Sequence, residues 1–186
     1  MEISLRATNV PLRIIRTLYT RHGKNQFFSY CSIYGTVDFI FGDSAIVIQN
    51  LYIGVRLPSG GETVVTADGR IDDKSNTAIV MHNCSISPTP ELQGNSNVKS
   101  YLGRPWKKFS RTVILQSYID AFIDPKGWLK FNSMSDLASL YYARVNWPGY
   151  HILSNPDEVK SFIVENFIRG RDWLPKLGIP FIPGLA

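Results

Sequence analysis

The chain has 186 residues, 44% of them hydrophobic and 19% charged, the balance of a soluble globular protein built as one domain. No apolar run is long enough to cross a bilayer, and the opening Met-Glu-Ile-Ser-Leu-Arg lacks the basic-then-apolar order of a signal peptide, so no membrane role is expected. The net charge of +5 favours a polyanionic partner, but the basic residues are dispersed and Lys107-Lys108 and Arg169/Arg171 are the only tight groupings, which argues against nucleic acid.

Along the chain one pattern recurs. Gln26-Phe-Phe-Ser-Tyr-Cys-Ser-Ile33, Ile46-Val-Ile-Gln-Asn-Leu-Tyr-Ile53, Ile79-Val-Met-His-Asn-Cys-Ser-Ile86 and Thr112-Val-Ile-Leu-Gln-Ser-Tyr-Ile119 start 20, 33 and 33 residues apart. Each is a short β-branched or aromatic strand, then a polar corner, then an Ile. Such units cannot bury an apolar face alone, but stacking them does. The spacing and the scarcity of helix signals predict coils of a parallel β-helix. An antiparallel sandwich also uses short strands at regular spacing and stays open from periodicity alone. Segments 56–62 and 87–97 are rich in turn formers and read as loops. One helix is predicted near the C-terminus, with Asn155 as cap, Pro156 in the first turn, and Val159, Phe162, Ile163 and Phe167 on one face. The proline-rich stretch 175–184 that follows should pack as an extended strap.

Cys31 and Cys84 occupy the same position of the repeat as Leu51 and Ser117. Two coils of a β-helix separate them by roughly 9–10 Å, beyond the usual Cα separation for a disulfide. Two unpaired, buried thiols are expected. His82 shares a strand with Cys84, and a core histidine is the expected reading. Asn83-Cys-Ser85 is a formal glycosylation sequon placed in a predicted inner strand, where it would be unused.

Two further strings carry candidate chemistry. Gly35-Thr-Val-Asp-Phe-Ile-Phe-Gly42 sets one carboxylate, Asp38, inside an apolar strand, where an ionised group is costly without partners. Leu102-Gly-Arg-Pro-Trp106 offers a guanidinium, Arg104, beside an indole, Trp106. Pro105 biases Arg104 to an extended backbone that would present it at a coil edge. Carboxylate, guanidinium and aromatic face together suit an acidic sugar. The structural alternatives are an Asp38 held by backbone N–H groups, a loop-fixing Arg104 salt bridge and a Trp106 packed in the core. Neither a G-x-S-x-G elbow nor an H-E-x-x-H pair is present.

These strings, with Ser110-Arg-Thr-Val113, Gly127-Trp128 and Trp147-Pro-Gly-Tyr-His151, resemble the signature segments of the plant pectin methylesterases (pectinesterases), in the same order. The resemblance runs from about residue 17 to 186, with 1–16 a divergent segment. It implies an all-β fold, a right-handed parallel β-helix lacking its N-terminal coils, closed by a short C-terminal helix and an extended tail. It implies hydrolysis of the methyl esters of polygalacturonate (pectin), with no cofactor and no metal, by a secreted, monomeric protein of the cell wall. By resemblance Asp38 is the nucleophile, Arg104 hydrogen-bonds it, and Arg104 and Trp106 bind the sugar. A cysteine is common in the family at the position of Leu51, and its absence leaves Cys31 without a bridge.

The departures bear on activity. The family's Gln-Asp-Thr-Leu-Tyr segment reads Ile15-Arg16-Thr17-Leu18-Tyr19 here, so Ile15 replaces an oxyanion Gln and Arg16 the acid/base Asp. Asp68 stands where Gln is common, and the link after Ala143 is short. An impaired esterase is expected, with a non-catalytic pectin-binding protein as the alternative. A pectate lyase or polygalacturonase would need grouped carboxylates, and Asp72-Asp73 and Asp157-Glu158 are the only adjacent acidic pairs.

Overall fold

A computed structural model describes residues 18–20, 25–131, 141–144 and 156–185. Asn155, the segment 1–17 with Ile15 and Arg16, and the stretch 147–151 lie outside the described residues. Among the described residues, thirteen strands form three sheets in which every pairing is parallel. The first sheet runs β1 (Leu18–Thr20), β4 (Val37–Gly42), β7 (Glu62–Asp68), β10 (Lys99–Gly103). The second runs β2 (Asn25–Ser29), β5 (Ala45–Gln49), β8 (Ala78–His82), β11 (Arg111–Leu115), β13 (Tyr141–Arg144). The third runs β3 (Ser32–Gly35), β6 (Tyr52–Val55), β9 (Ser85–Pro88), β12 (Tyr118–Ile119). Each turn of the chain gives one strand to each sheet, which is a parallel β-helix.

The register follows the repeat residue for residue. Gln26 pairs with Ile46, Ile46 with Ile79, and Ile79 with Thr112. Inward positions stack into columns such as Phe28, Ile48, Met81 and Ile114, or Ile33, Ile53 and Ile86, all in one buried core. The polar corner has a backbone cause. Tyr30, Asn50, Asn83 and Gln116 all sit in the left-handed region, with φ of 53°, 58°, 52° and 43°. That kink turns the chain from the second sheet to the third, and Asn tolerates it better than most residues. Asn83 is therefore exposed at a corner, its amide donating to Asn50 Oδ1, rather than in an inner strand as the sequon reading assumed. Cys31 and Cys84 point inward as free, buried thiols on β-helix coils two steps apart, and burial pushes them up to about 11 and about 12.

The outward column of the second sheet, Phe27, Val47, Val80 and Val113, is apolar because the C-terminal segment covers it. The single helix expected there is three short ones, α2 (Pro156–Lys160), α3 (Val164–Phe167) and α4 (Gly170–Trp173), then a 3₁₀ turn at Pro175–Leu177. The break comes at Ile163, which is extended (φ −70°, ψ 155°), and a second at Arg169, which is left-handed (φ 52°). These kinks lay Val159, Phe162, Val164, Phe167 and Trp173 onto the sheet together, more than one straight helix face could. Packing overrides local helix preference here. Segment 87–97, expected as loop, contains one helical turn, α1 (Pro90–Gln93). From Gly178 the tail carries no helix or strand and is clasped by Gln49, whose Nε2 donates to the Ile182 carbonyl and whose Oε1 accepts the Ile182 N–H.

Candidate active site

Asp38 lies near the start of β4, where the pairing with β7 slips register between Val37 and Ile40. Its φ is 49°, left-handed and costly for a residue other than glycine. Such a bulge re-aims a side chain. It turns the Phe39 ring inward, fully buried against the bare Cα of Gly35, where a Cβ would collide with it. Asp38 stays partly exposed, at 27% of its side-chain surface.

Arg104 reaches Asp38 from two coils away along the first sheet. Its N–H is held by the Thr66 carbonyl (2.9 Å). Its guanidinium forks onto the carboxylate, Nε to Oδ1 at 2.9 Å and Nη2 to Oδ2 at 2.6 Å. This is the strong, planar geometry that only arginine provides. The guanidinium carbon also lies 4.9 Å from the centre of the Phe131 ring. Gly103 just before it is obligatory in space, since a Cβ would collide with Thr66 Oγ1.

Trp106 is 39% exposed and so is not a core residue. Its N–H bonds the Asp68 carbonyl at 3.1 Å, and its indole lies across Gly69, edge-on to Phe41 at 6.0 Å. Asp38, Phe41, Ala67, Trp106 and Phe131 line a cleft of about 230 Å³. The structure thus brings together all three residues singled out in the sequence, Asp38, Arg104 and Trp106. Phe41 was hidden because strict two-residue alternation puts it on the opposite face from Asp38, and only the bulge, which buries Phe39 and Ile40 in succession, brings both to the cleft. Phe131 lies outside every motif, and no sequence signal pointed to it. Among the described residues, Asp38 is the only carboxylate lining the cleft.

Asp68, at the far end of β7, anchors the loop that carries Trp106. Its carbonyl accepts the Ser110 hydroxyl as well as Trp106 N–H, and its carboxylate Oδ2 accepts the N–H of Arg111 at 2.7 Å. Oδ1 has no hydrogen-bond partner among the described residues, and the side chain is fully buried. Burial pushes this carboxyl up to about 7, against the pull of the Arg111 and Arg70 N–H groups.

A model of the pectinesterase family matches residues 14–171. Pectinesterase 2 of Citrus sinensis is 44% identical over 183 residues, covering 91% of this chain and 36% of that protein. The chain belongs to the pectinesterase family. Probable pectinesterase/pectinesterase inhibitor 41 of Arabidopsis thaliana is 46% identical over 184 residues, covering 91% of this chain and 32% of that protein. The chain spans about a third of the length of these curated relatives. Among solved structures, a pectin methylesterase from carrot superposes with a TM-score of 0.83 at 39% identity, covering 92% of this chain and 60% of that one. That superposition takes in nearly all of this chain's described coils.

Proposed function

We propose that this chain carries the catalytic cleft of a pectinesterase, acting on methyl esters of polygalacturonate in the plant cell wall, with Asp38 as nucleophile. The observation that carries the reading is the Arg104 fork on Asp38 beside an exposed indole in one cleft. Asp38 Oδ attacks the ester carbonyl carbon, and the C–O bond to methoxide breaks. Methoxide takes a proton and leaves as methanol, and water then cleaves the acyl bond and frees Asp38. Arg104 orients the attacking carboxylate and stays charged throughout, so it neither gives nor takes the proton. Trp106 stacks on a galacturonate ring, and the net charge of +5 attracts the polyanion.

The proton donor is the weak point. The resemblance puts an acid/base aspartate at position 16, where this chain has arginine, and an oxyanion glutamine at position 15, where it has isoleucine. Loss of a general acid typically costs about 10²–10⁴-fold and loss of an oxyanion donor about 10²–10³-fold. We therefore read the chain as a slow esterase. A non-catalytic pectin binder is the second reading, favoured by the single carboxylate that the described residues give the cleft. Methanol release from highly methylated pectin, by the chain and by Asp38→Ala, decides between them. Slow release that vanishes in the variant supports the esterase. No release from a folded chain that still binds pectin overturns it in favour of the binder.

A further inference from the structure

A second crevice, of about 430 Å³, lies between the connection after β9 and the turn after β12, and shares no lining residue with the Asp38 cleft. Its volume falls in the range of small-molecule sites, about 300–1,000 Å³. Leu92 and Phe122 give it an apolar surface. Gln93, Asn95, Ser96 and Asp120 ring it with polar groups. Asn95 Oδ1 is engaged by Asn97 N–H and Asp120 Oδ1 by Ala121 N–H. The Gln93 amide, the Asn95 amide nitrogen and the Ser96 hydroxyl have no partner among the described residues. An aromatic and aliphatic floor with spare amide, hydroxyl and carboxylate groups is the chemistry that takes a pyranose, one C–H face down and hydroxyls outward.

The charge narrows the choice. Among the described residues, Asp120 is the only charged one lining the crevice. It accepts hydrogen bonds from hydroxyls and repels a carboxylate, so a galacturonate unit is disfavoured there. The surface continues beyond the crevice. Two residues before Asp120, Tyr118 is 62% exposed on the outer face of the third sheet. Tyr52 stands two coils along in the same register row, its ring 5.7 Å from Tyr34. Burial and the nearby charges of Tyr34 and Asp120 raise the Tyr52 hydroxyl above its ordinary value. The first sheet carries the Asp38 cleft and the second is covered by the C-terminal helices. Among the described residues no helix covers the third, which carries tyrosine and serine side chains on its outer face.

We infer that this crevice is a second saccharide site, taking a neutral sugar unit rather than galacturonate, with the Tyr118–Tyr52 face extending it along a longer glycan. It would hold the chain on a neutral wall polysaccharide whatever the Asp38 cleft does. The test titrates the full chain with cellotetraose, galactotetraose and trigalacturonic acid, following backbone amide shifts by NMR. Ser96→Trp fills the crevice from an exposed loop position, and Asp120→Asn removes its charge. A neutral tetrasaccharide should saturate shifts around Gln93 and Asn95. Ser96→Trp should abolish them with the melting temperature unchanged, and Asp120→Asn should admit trigalacturonic acid to the same amides. No neutral tetrasaccharide shifting these amides, shifts that persist in Ser96→Trp, or trigalacturonic acid bound there as well by the unaltered chain would each overturn the assignment.

Discussion

Asp68→Asn should stabilise the fold at neutral pH and remove the part of its pH dependence that comes from this carboxyl. The side chain is fully buried, one oxygen has no partner among the described residues, and the carboxyl is pushed up to about 7 from 3.8. The native state therefore holds this proton where the unfolded chain has released it. With more protons bound in the native state, stability falls as pH rises across that window. The shift from 3.8 to about 7 corresponds to about 4 kcal/mol at full ionisation. Asparagine keeps an acceptor for the Arg111 and Arg70 N–H groups and carries no charge to desolvate. The amide nitrogen inherits the unpartnered position, a cost the protonated carboxyl already bears. Urea unfolding followed by tryptophan fluorescence, at a series of pH values from about 4 to 7.5, measures both proteins. The difference in stability should be smallest in acid and widen towards neutral pH. Parallel curves, or a variant less stable than the wild type at neutral pH, would refute the reasoning.

Trp106→Ala should weaken oligogalacturonate binding by about tenfold, the value of one stacked ring, without lowering the melting temperature. Gly103→Ala should cost about 1–3 kcal/mol by overpacking against Thr66, and Thr66→Ala in the same chain should restore part of it in thermal melts. His82 Nδ1 accepts from Gln49 Nε2 and its Nε2–H donates to Gln116 Oε1, the tautomer fixed by Gln49's two bonds to Ile182. Burial holds this histidine below 6.5, so its contribution is present at higher pH and is lost as pH falls below that value. A proton on Nδ1 would face the Gln49 amide nitrogen. Hydrogen exchange at the Ile182 amide should therefore accelerate in acid, and exchange that is independent of pH beyond its intrinsic rate would count against the clasp.

The columns of the core were legible because inward positions repeat as Ile, Val or Met, and a parallel stack forces like positions into register. Asp38, Arg104 and Trp106 were legible as an unusual carboxylate and a rigid Arg-Pro-Trp turn. The left-handed bend at Asp38 was not, since no residue type signals a bulge with certainty, and the parity of Phe41 was lost with it. The helix break at Ile163 was not legible either. Local pattern favours continuation there, and only the shape of the covered sheet demands the turn. Asp68 reads as an ordinary turn residue in sequence, and its burial comes from strand β11 and the Trp106 loop closing over it.

The four left-handed corners have a further consequence. Each is two residues long, Tyr30-Cys31, Asn50-Leu51, Asn83-Cys84 and Gln116-Ser117, although successive coils start 20, 33 and 33 residues apart. All the variation in length therefore falls at the other two edges, after the third-sheet strands and after the first-sheet strands, where the walls of both crevices arise. One edge works as a phase reference that resets the chain on every turn. The other two are free to lengthen, shorten or exchange segments without shifting a single core residue out of its column. Grafting new recognition loops onto this scaffold should succeed at residues 56–61 or 94–97 and fail at Asn50-Leu51, where one added residue would turn the side chains of β6 inside out.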